Sequence, residues 1–240
     1  MSYDDPPMAS PVGRYLNETR RPIYSAALVL PFFLVYHTGT FFLSTTYING
    51  ADALIMQLLS LLSVRSALAS ALVLLLAFVI WQVRTGASWK VVPSKLAGMF
   101  AESVLFAIVL YAGFGWLASS LSLSAGGRDS AGLLERVVLY CGAGIYEELV
   151  FRGFLLGALI WVLTRVAGLK RGAAAFWGAL AAALLFSAFH YLGPVGDAFT
   201  LPSFTQRALG GLYFSCLFVT RGFGITAAAH AIYDIIVGVI

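Results

Sequence analysis

Long apolar runs dominate the chain from residue 23 onward, and they do not alternate with polar residues. Residues 70–81, for example, read SALVLLLAFVIW. Continuous runs of about 20 residues are typical of membrane-spanning helices, whereas a barrel strand alternates every second residue. The pattern predicts spans at 23–43, 53–83, 99–120, 133–163, 173–192, 205–220 and 224–240. We therefore predict an all-α, polytopic membrane helix bundle with about six to eight transmembrane helices.

Two of the predicted spans are longer than a bilayer requires. The 53–83 run contains Arg65, and we expect its first part to be an interfacial segment that leads into a helix. The 133–163 run contains Gly142 and Gly144, and we expect it either to protrude from the bilayer or to bend. The chain then divides into a polar, cytoplasmic N-terminal segment (1–22), N-terminal transmembrane helices (23–132) and a C-terminal helical core (133–240).

Composition supports the membrane assignment. Of the 240 residues, 60% are hydrophobic and 11% are charged. Soluble domains are typically about 45–50% apolar and about 25% charged, so this is an integral membrane protein whose first partner is the lipid bilayer. The net charge of +4 comes from basic residues scattered at predicted helix ends. They form no aromatic-interleaved basic patch, and we expect no nucleic-acid partner.

The distribution of lysine and arginine predicts the orientation. With the N-terminus in the cytoplasm, ten basic residues fall in cytoplasmic segments, and only Arg128 falls in an opposite loop. Cytoplasmic loops of membrane proteins carry an excess of Lys and Arg. We therefore predict a multi-pass protein with a cytoplasmic N-terminus.

A few ionisable residues lie within the late spans, where charge is costly and usually marks function. They are Glu147, Glu148 and Arg152 in the fourth span, His190 in the fifth, and His230 and Asp234 in the last. Glu148 and Arg152 are four residues apart, so they share a helix face and can pair, whereas Glu147 points about 100° away.

Counting along the helices brings two of these groups to the same depth. Glu147 and His190 each lie about 21 residues from the centre of the loop that joins the fourth and fifth spans. A carboxylate facing an imidazole across a cavity is suited to general-base catalysis on water. His230 lies only nine residues beyond Arg221 and falls nearer the cytoplasm by the same count. Tilt, or cytoplasmic protrusion of the fourth and fifth helices, would remove this mismatch.

A metal site is the mechanistic alternative. Glutamate, histidine and aspartate are zinc ligands, and a zinc ion would be bound by Glu147, His190, His230 and Asp234. The chain contains no HExxH sequence, which places two ligands on one helix turn. We therefore favour chemistry without a metal or another cofactor, with zinc as the alternative.

Three short sequences in successive late helices carry a family resemblance. They are EELVFR (147–152), FSAFH (186–190) and HAIYD (230–234), which fit the patterns EExxxR, FxxxH and HxxxN/D. In this order they resemble the CPBP family of CAAX proteases and bacteriocin-processing (Abi-type) proteins, over roughly residues 133–240. The best-known members are intramembrane glutamic endopeptidases that remove the last three residues of prenylated CAAX proteins.

The resemblance implies a role for each motif residue. Glu147 would be catalytic and would activate a water together with His190, while His230 and Asp234 would stabilise the oxyanion. Glu148 and Arg152 would form a supporting ion pair or bind substrate, and Phe186 would serve motif packing. Prenyl-protein proteases have asparagine at the position of Asp234. An ionised aspartate cannot donate to an oxyanion, so Asp234 is either protonated or orients His230.

The resemblance also implies a function and a location. The chain would be an intramembrane endopeptidase of a bacterial inner membrane, and it would hydrolyse a peptide bond near the C-terminus of a membrane-anchored protein. The substrate would be a prenylated CAAX-like end, a sorting tag or a lipidated peptide. The alternatives are a non-catalytic bacteriocin immunity or scaffold protein and a proton-coupled transporter. The chain has no internal repeat of the kind common in transporters.

Overall fold

The structure is a computed structural model that describes residues 10–43, 49–64, 68–121, 132–193 and 196–239, with the side chains of 117–121 left out. Every regular element in these ranges is helical, so the all-α prediction is confirmed. The α-helices are α1 (Pro11–Glu18), α2 (Pro22–Phe42), α3 (Gly50–Leu61), α4 (Ala69–Thr85), α5 (Pro93–Leu121), α6 (Leu133–Glu148), α7 (Gly157–Arg165), α8 (Arg171–Phe189), α9 (Leu201–Arg221) and α10 (Phe223–Val239). A π-helical segment, Leu149–Leu156, joins α6 to α7.

Within the described ranges, three helices are long and apolar enough to cross a membrane. They are Pro22–Phe42, Pro93–Trp116 and Arg171–Phe189. The helices α3, α4 and α10 are apolar but shorter. These lengths and compositions fit an integral membrane protein, while the number of passes stays a prediction.

The predicted single run at 53–83 is two helices. The first, α3, ends at Leu61, and the second, α4, begins at Ala69. Between them, Ser63 has a left-handed φ of 63°, a conformation that interrupts a regular helix. The expected division into two parts is therefore confirmed, and its interfacial location stays a prediction. Arg65 lies outside the described residues.

The predicted run at 133–163 is helical from Leu133 to Arg165, and its two glycines lie within the continuous α-helix α6. An ideal Cβ on Gly142 would lie 2.4 Å from the Tyr36 ring, and one on Gly144 would lie 2.6 Å from the Ala227 carbonyl oxygen. Glycine is required at both positions because α2 and α10 approach the α6 backbone closely. The regular α-helical pattern changes later, where the π segment begins at Leu149.

The N-terminal and C-terminal helices form one packed bundle. One buried cluster joins Tyr36 of α2 to Ile145 of α6 and Phe223 of α10. A second joins Leu28 of α2, Met99 of α5 and Ile225 of α10. The helix α10 therefore lies in the centre, with α2, α5 and α6 packed around it.

Polar contacts tie several helix ends together at one end of the bundle. Glu102 of α5 accepts from Arg221 at the end of α9, with distances of 2.7 and 2.9 Å, and from the Tyr15 hydroxyl of α1. Arg20 donates to the Val219 carbonyl over 2.6 Å. Burial and the Glu102 carboxylate raise the pKa of the Tyr15 hydroxyl. Basic residues that the charge distribution assigns to the cytoplasm thus lie together, while the side of the membrane stays a prediction.

The chain from α6 to α8 extends beyond this end of the bundle. Leu149, at the start of the π segment, packs in the same cluster as Phe223, where α10 begins. Gly153 and Phe154 lie beside Phe218 and Phe223 around one apolar cavity, so α7 continues past the start of α10. This protrusion removes the depth mismatch of His230, because Glu147 and His230 reach the same level of the bundle.

Candidate active site

Glu147 lies at the C-terminal end of α6 and faces two imidazoles from other helices. Its Oε2 lies 4.0 Å from Nε2 of His190, which follows α8, and 4.0 Å from Nε2 of His230 in α10. Glu147 and His230 are buried, with 8% and 4% of their surface exposed, whereas His190 is half-buried. The structure thus brings together three side chains from three separate sequence motifs.

The spacing of these three groups leaves room for a small molecule between them. A distance of 4.0 Å is too long for a direct hydrogen bond between the carboxylate and either imidazole. A single water bonded to both partners at about 2.8 Å spans such a gap. The geometry therefore suits a water that contacts Glu147 and an imidazole at the same time.

His190 is oriented by the backbone of its own helix. It forms the C-terminal cap of α8, and its Nδ1 lies 2.9 Å from the carbonyl oxygen of Phe186. A carbonyl oxygen only accepts, so Nδ1 carries the proton and donates. The neutral ring then presents an unprotonated Nε2, which is a hydrogen-bond acceptor, towards Glu147.

Glu148 connects Arg152 to His230. Its Oε1 accepts from the Arg152 guanidinium over 2.9 Å and lies 2.7 Å from Nδ1 of His230. The side chains of Glu148 and Arg152 are fully buried. The expected ion pair is therefore present, and Glu148 also fixes the ring of His230, a contact that helical spacing alone does not indicate.

Arg152 lies within the π segment and is enclosed by protein groups. Its second terminal nitrogen donates to the Gly211 carbonyl of α9 over 3.1 Å. The guanidinium carbon lies 4.4 Å from the centre of the Phe186 ring and 5.7 Å from that of Phe214. π-helical turns occur frequently at functional sites. Here the turn carries an arginine that neutralises a fully buried glutamate.

His230 is held on several sides. Its ring stacks on Phe214, with the ring centres 4.5 Å apart, while Nδ1 faces Glu148. Asp234, one turn later, places Oδ2 3.5 Å from Nε2. Asp234 thus approaches the nitrogen that faces Glu147, and Glu148 makes the contact to Nδ1.

Phe186 connects the two histidine environments. Its ring contacts His190 edge-on, with the ring centres 4.9 Å apart, and lies 6.2 Å from His230. It also packs under the Arg152 guanidinium. The phenylalanine of the FSAFH sequence is therefore part of the site wall.

These groups open onto a cavity of about 600 Å³ between α5, α8, α9 and α10. Glu147, His190, His230 and Asp234 all line it. The rest of the wall is mixed, with aromatic and polar side chains that include Phe114, Tyr233, Gln206 and Arg207. Clefts of about 300–1,000 Å³ are the usual size of ligand sites, so this cavity can admit part of a chain or a small molecule.

Residues 129–236 match the family described as type II CAAX prenyl endopeptidase, Rce1-like. The matched stretch contains every residue of the site described so far except Phe114. This C-terminal region is therefore similar to the Rce1-like family. The resemblance to CAAX proteases is thereby confirmed for that part of the chain. Neither the curated proteins nor the solved structures contain a match to the chain.

One polar contact to Glu147 comes from outside the Rce1-like region. Asn49, just before α3, donates from Nδ2 to Oε1 of Glu147 over 2.9 Å. The sequence analysis missed this residue, because Asn-Gly before an apolar run is the ordinary signal of a helix start. His37 has a partner in the same area, since its Nε2 lies 2.7 Å from the Tyr146 hydroxyl.

The proposed zinc ligands lie near one another in the Rce1-like region, but their geometry does not form a metal site. Within the described ranges, no three His, Cys, Asp or Glu side chains are arranged to hold a metal ion. Nδ1 of His230 is hydrogen-bonded to Glu148 and is not free to bind a metal. The Nε2 atoms of His190 and His230 each lie 4.0 Å from Oε2 of Glu147. The residues present therefore do not fit zinc as they are placed, and metal-free chemistry stays a prediction.

Proposed function

We propose that the chain is an intramembrane endopeptidase that hydrolyses a peptide bond near the C-terminus of a membrane-anchored protein. The observation that carries this proposal is the position of Glu147 Oε2, 4.0 Å from the Nε2 atoms of both His190 and His230 at the wall of the cavity. The match to an endopeptidase family over residues 129–236 supports the same class of reaction.

The nucleophile is a water held between Glu147 and His190. It donates one proton to Glu147 Oε2 and the other to the unprotonated Nε2 of His190, which leaves an oxygen lone pair for attack. As the water oxygen bonds to the scissile carbonyl carbon, its proton passes to Glu147. The carbonyl π electrons move to the oxygen, which becomes an oxyanion.

His230 stabilises that oxyanion from the other side. Its Nδ1–H donates to Glu148, so donation from Nε2 requires the imidazolium form. The carboxylates of Glu147, Glu148 and Asp234 surround the ring and favour that positive form. A charged donor aimed at a developing oxyanion is a large source of transition-state stabilisation.

Collapse of the intermediate breaks the C–N bond. Glu147 returns the proton that it took from water to the leaving nitrogen, so the residue acts first as base and then as acid. The new carboxyl group gives its remaining proton to the new amine, so a carboxylate and an ammonium group leave the cavity and the carboxylate of Glu147 is restored. Glu148, Arg152 and Phe186 stay in place during these steps and hold His230 and the cavity wall.

We infer that the substrate enters from the bilayer with a lipidated or apolar C-terminal anchor. The exterior of the bundle is rich in apolar side chains, with Leu72, Phe100 and Trp161 among the exposed ones, so an anchored chain can remain in lipid as its end reaches the cavity. The N-terminus would face the cytoplasm of a bacterial inner membrane, as the charge distribution predicts.

This function is tested with a panel of peptides and the purified protein in lipid nanodiscs. The panel contains a prenylated CAAX-like peptide, the same peptide without lipid, and a peptide with an apolar C-terminal sorting anchor. We expect cleavage of at least one anchored peptide, within a few residues of its C-terminus by mass spectrometry, and slower cleavage of the lipid-free form.

The matched control is Glu135→Gln, the same chemical change at the other end of α6. It should retain the wild-type rate, because Glu135 lies in the first turn of that helix, away from the cavity. A folded wild-type protein that cleaves no anchored peptide would overturn the proposal, and proton-linked flux in liposomes would instead indicate a transporter.

A further inference from the structure

Asn49 uses both ends of its side-chain amide. Its Oδ1 accepts from the backbone N–H of Ala51 over 2.9 Å and from that of Asp52 over 3.4 Å, and so caps α3. Its Nδ2 donates to Glu147 Oε1 over 2.9 Å. The cap requires an oxygen facing the helix, so the NH₂ group necessarily faces the glutamate.

The backbone of Asn49 is fixed as well. Its N–H donates to the Tyr36 hydroxyl over 3.3 Å, and that hydroxyl donates to Asp52 Oδ2 over 2.7 Å. Tyr36 and Asp52 are buried, and the Tyr36 ring lies against Gly142 of α6, which precedes Glu147 in the same helix. The network thus links α2, the start of α3 and α6 around the Asn49 amide.

We propose that Asn49 is a positioning residue that assigns separate tasks to the two oxygens of Glu147. This inference rests on the proposed function of that glutamate. The Asn49 amide binds Oε1, and Oε2 is left facing His190 and His230. A donor on Oε1 fixes the plane of the carboxylate, so that Oε2 stays directed at the water from which it accepts a proton.

The amide is one of several influences on the charge of Glu147. Other titratable groups face this region from each packed element. They are Tyr36 and His37 of α2, Asp52 of α3, Tyr146, Glu148 and Arg152 of α6 and the π segment, His190 after α8, Arg207 of α9, and His230, Tyr233 and Asp234 of α10. Because the variants below change only residue 49, a change in Asn49→Ser reports the loss of the amide donor, whereas Asn49→Asp adds a negative charge as well.

Two substitutions separate positioning from capping. Asn49→Ser keeps a good helix-capping oxygen but is too short to reach Glu147. Asn49→Asp also keeps the cap, and it replaces the donor with an acceptor that is negative when ionised. Ser10→Ala is the matched control, since it removes the side-chain cap of α1, far from the cavity.

For both Asn49 variants we expect kcat to fall about 10- to 100-fold, the size typical of residues that orient a reactive group. KM should stay within about twofold, because Asn49 does not line the cavity. The acidic limb of the kcat–pH profile should move to higher pH in Asn49→Asp, because a second negative charge beside Glu147 disfavours its carboxylate form. Ser10→Ala should match wild type in kcat and profile.

Wild-type kcat and an unmoved acidic limb in both variants would overturn the proposal. The proposal would also be overturned if both variants lost thermal stability and kcat together while the acidic limb of the kcat–pH profile stayed in place. That is the result expected of a residue that only caps α3. Asn49→Gln, which restores a longer donor, should recover more activity than Asn49→Ser.

A second readout needs no substrate. Infrared difference spectra follow the carboxyl stretch of Glu147 during a pH titration, assigned by its absence in Glu147→Gln. In Asn49→Asp the protonated form should persist to higher pH than in wild type. If this shift occurs but no peptide is cleaved, positioning stands and the proposed function fails. If peptides are cleaved but neither readout moves, only the Asn49 proposal fails.

Discussion

Glu147→Gln is expected to lower kcat by about 10²- to 10⁴-fold while the bundle stays folded. An amide cannot accept the proton that the attacking water must lose, whereas its shape is close to that of the carboxylate. The Gln carbonyl oxygen can still accept from Asn49 Nδ2, so the packing around α6 is preserved. The measurement is the cleavage rate at saturating anchored peptide, beside a thermal unfolding curve for each protein.

The comparison with Glu135→Gln makes the result specific to the site. Both variants remove one carboxylate from α6, but only Glu147 faces the two histidines. Retention of more than a tenth of the wild-type kcat by Glu147→Gln would contradict a general-base role for this residue.

Arg152→Met is expected to cost about 3–5 kcal/mol of stability, since it leaves a buried charge without its partner. Arg152 and Glu148 are fully buried, and the guanidinium also donates to the Gly211 carbonyl and packs on Phe186. We expect a large fall in the thermal unfolding midpoint in detergent. Low yield of folded protein would have the same cause.

A double variant separates charge from packing. Arg152→Met combined with Glu148→Gln removes both charges and leaves an amide that can still contact His230. We expect it to recover much of the lost stability, because replacing a complete buried pair is far less costly than breaking it. If Arg152→Met alone lost less than about 1 kcal/mol of stability, the ion pair would not be desolvated as its burial indicates.

The long helices and the core of the site could be predicted from sequence for simple physical reasons. Apolar runs near 20 residues identify spans, and ionisable residues inside them are rare enough to stand out. Counting residues in both directions from the loop after α7 predicted that Glu147 lies opposite His190, and in the structure these groups are 4.0 Å apart. The count failed for His230 because it assumed that all helices end at the same level.

Other features depend on tertiary contacts that local patterns do not encode. The sequence predicts that the run with Gly142 and Gly144 protrudes or bends, and only the neighbouring rings and backbone show that these glycines are packing positions. The π segment after Glu148 has no sequence signature of its own. Asn49 lies 98 residues from Glu147, so its role depends on how α2 and α3 pack against α6.

The most direct test of the account measures wild-type cleavage of an anchored peptide with and without a strong chelator such as 1,10-phenanthroline. In the proposed mechanism a water lies between Glu147 and His190 with no metal ion, so the cleavage rate should be unchanged after chelation and after added zinc. Loss of cleavage with the chelator, restored by zinc, would contradict it and would mean that Glu147, His190, His230 and Asp234 rearrange to bind a metal ion.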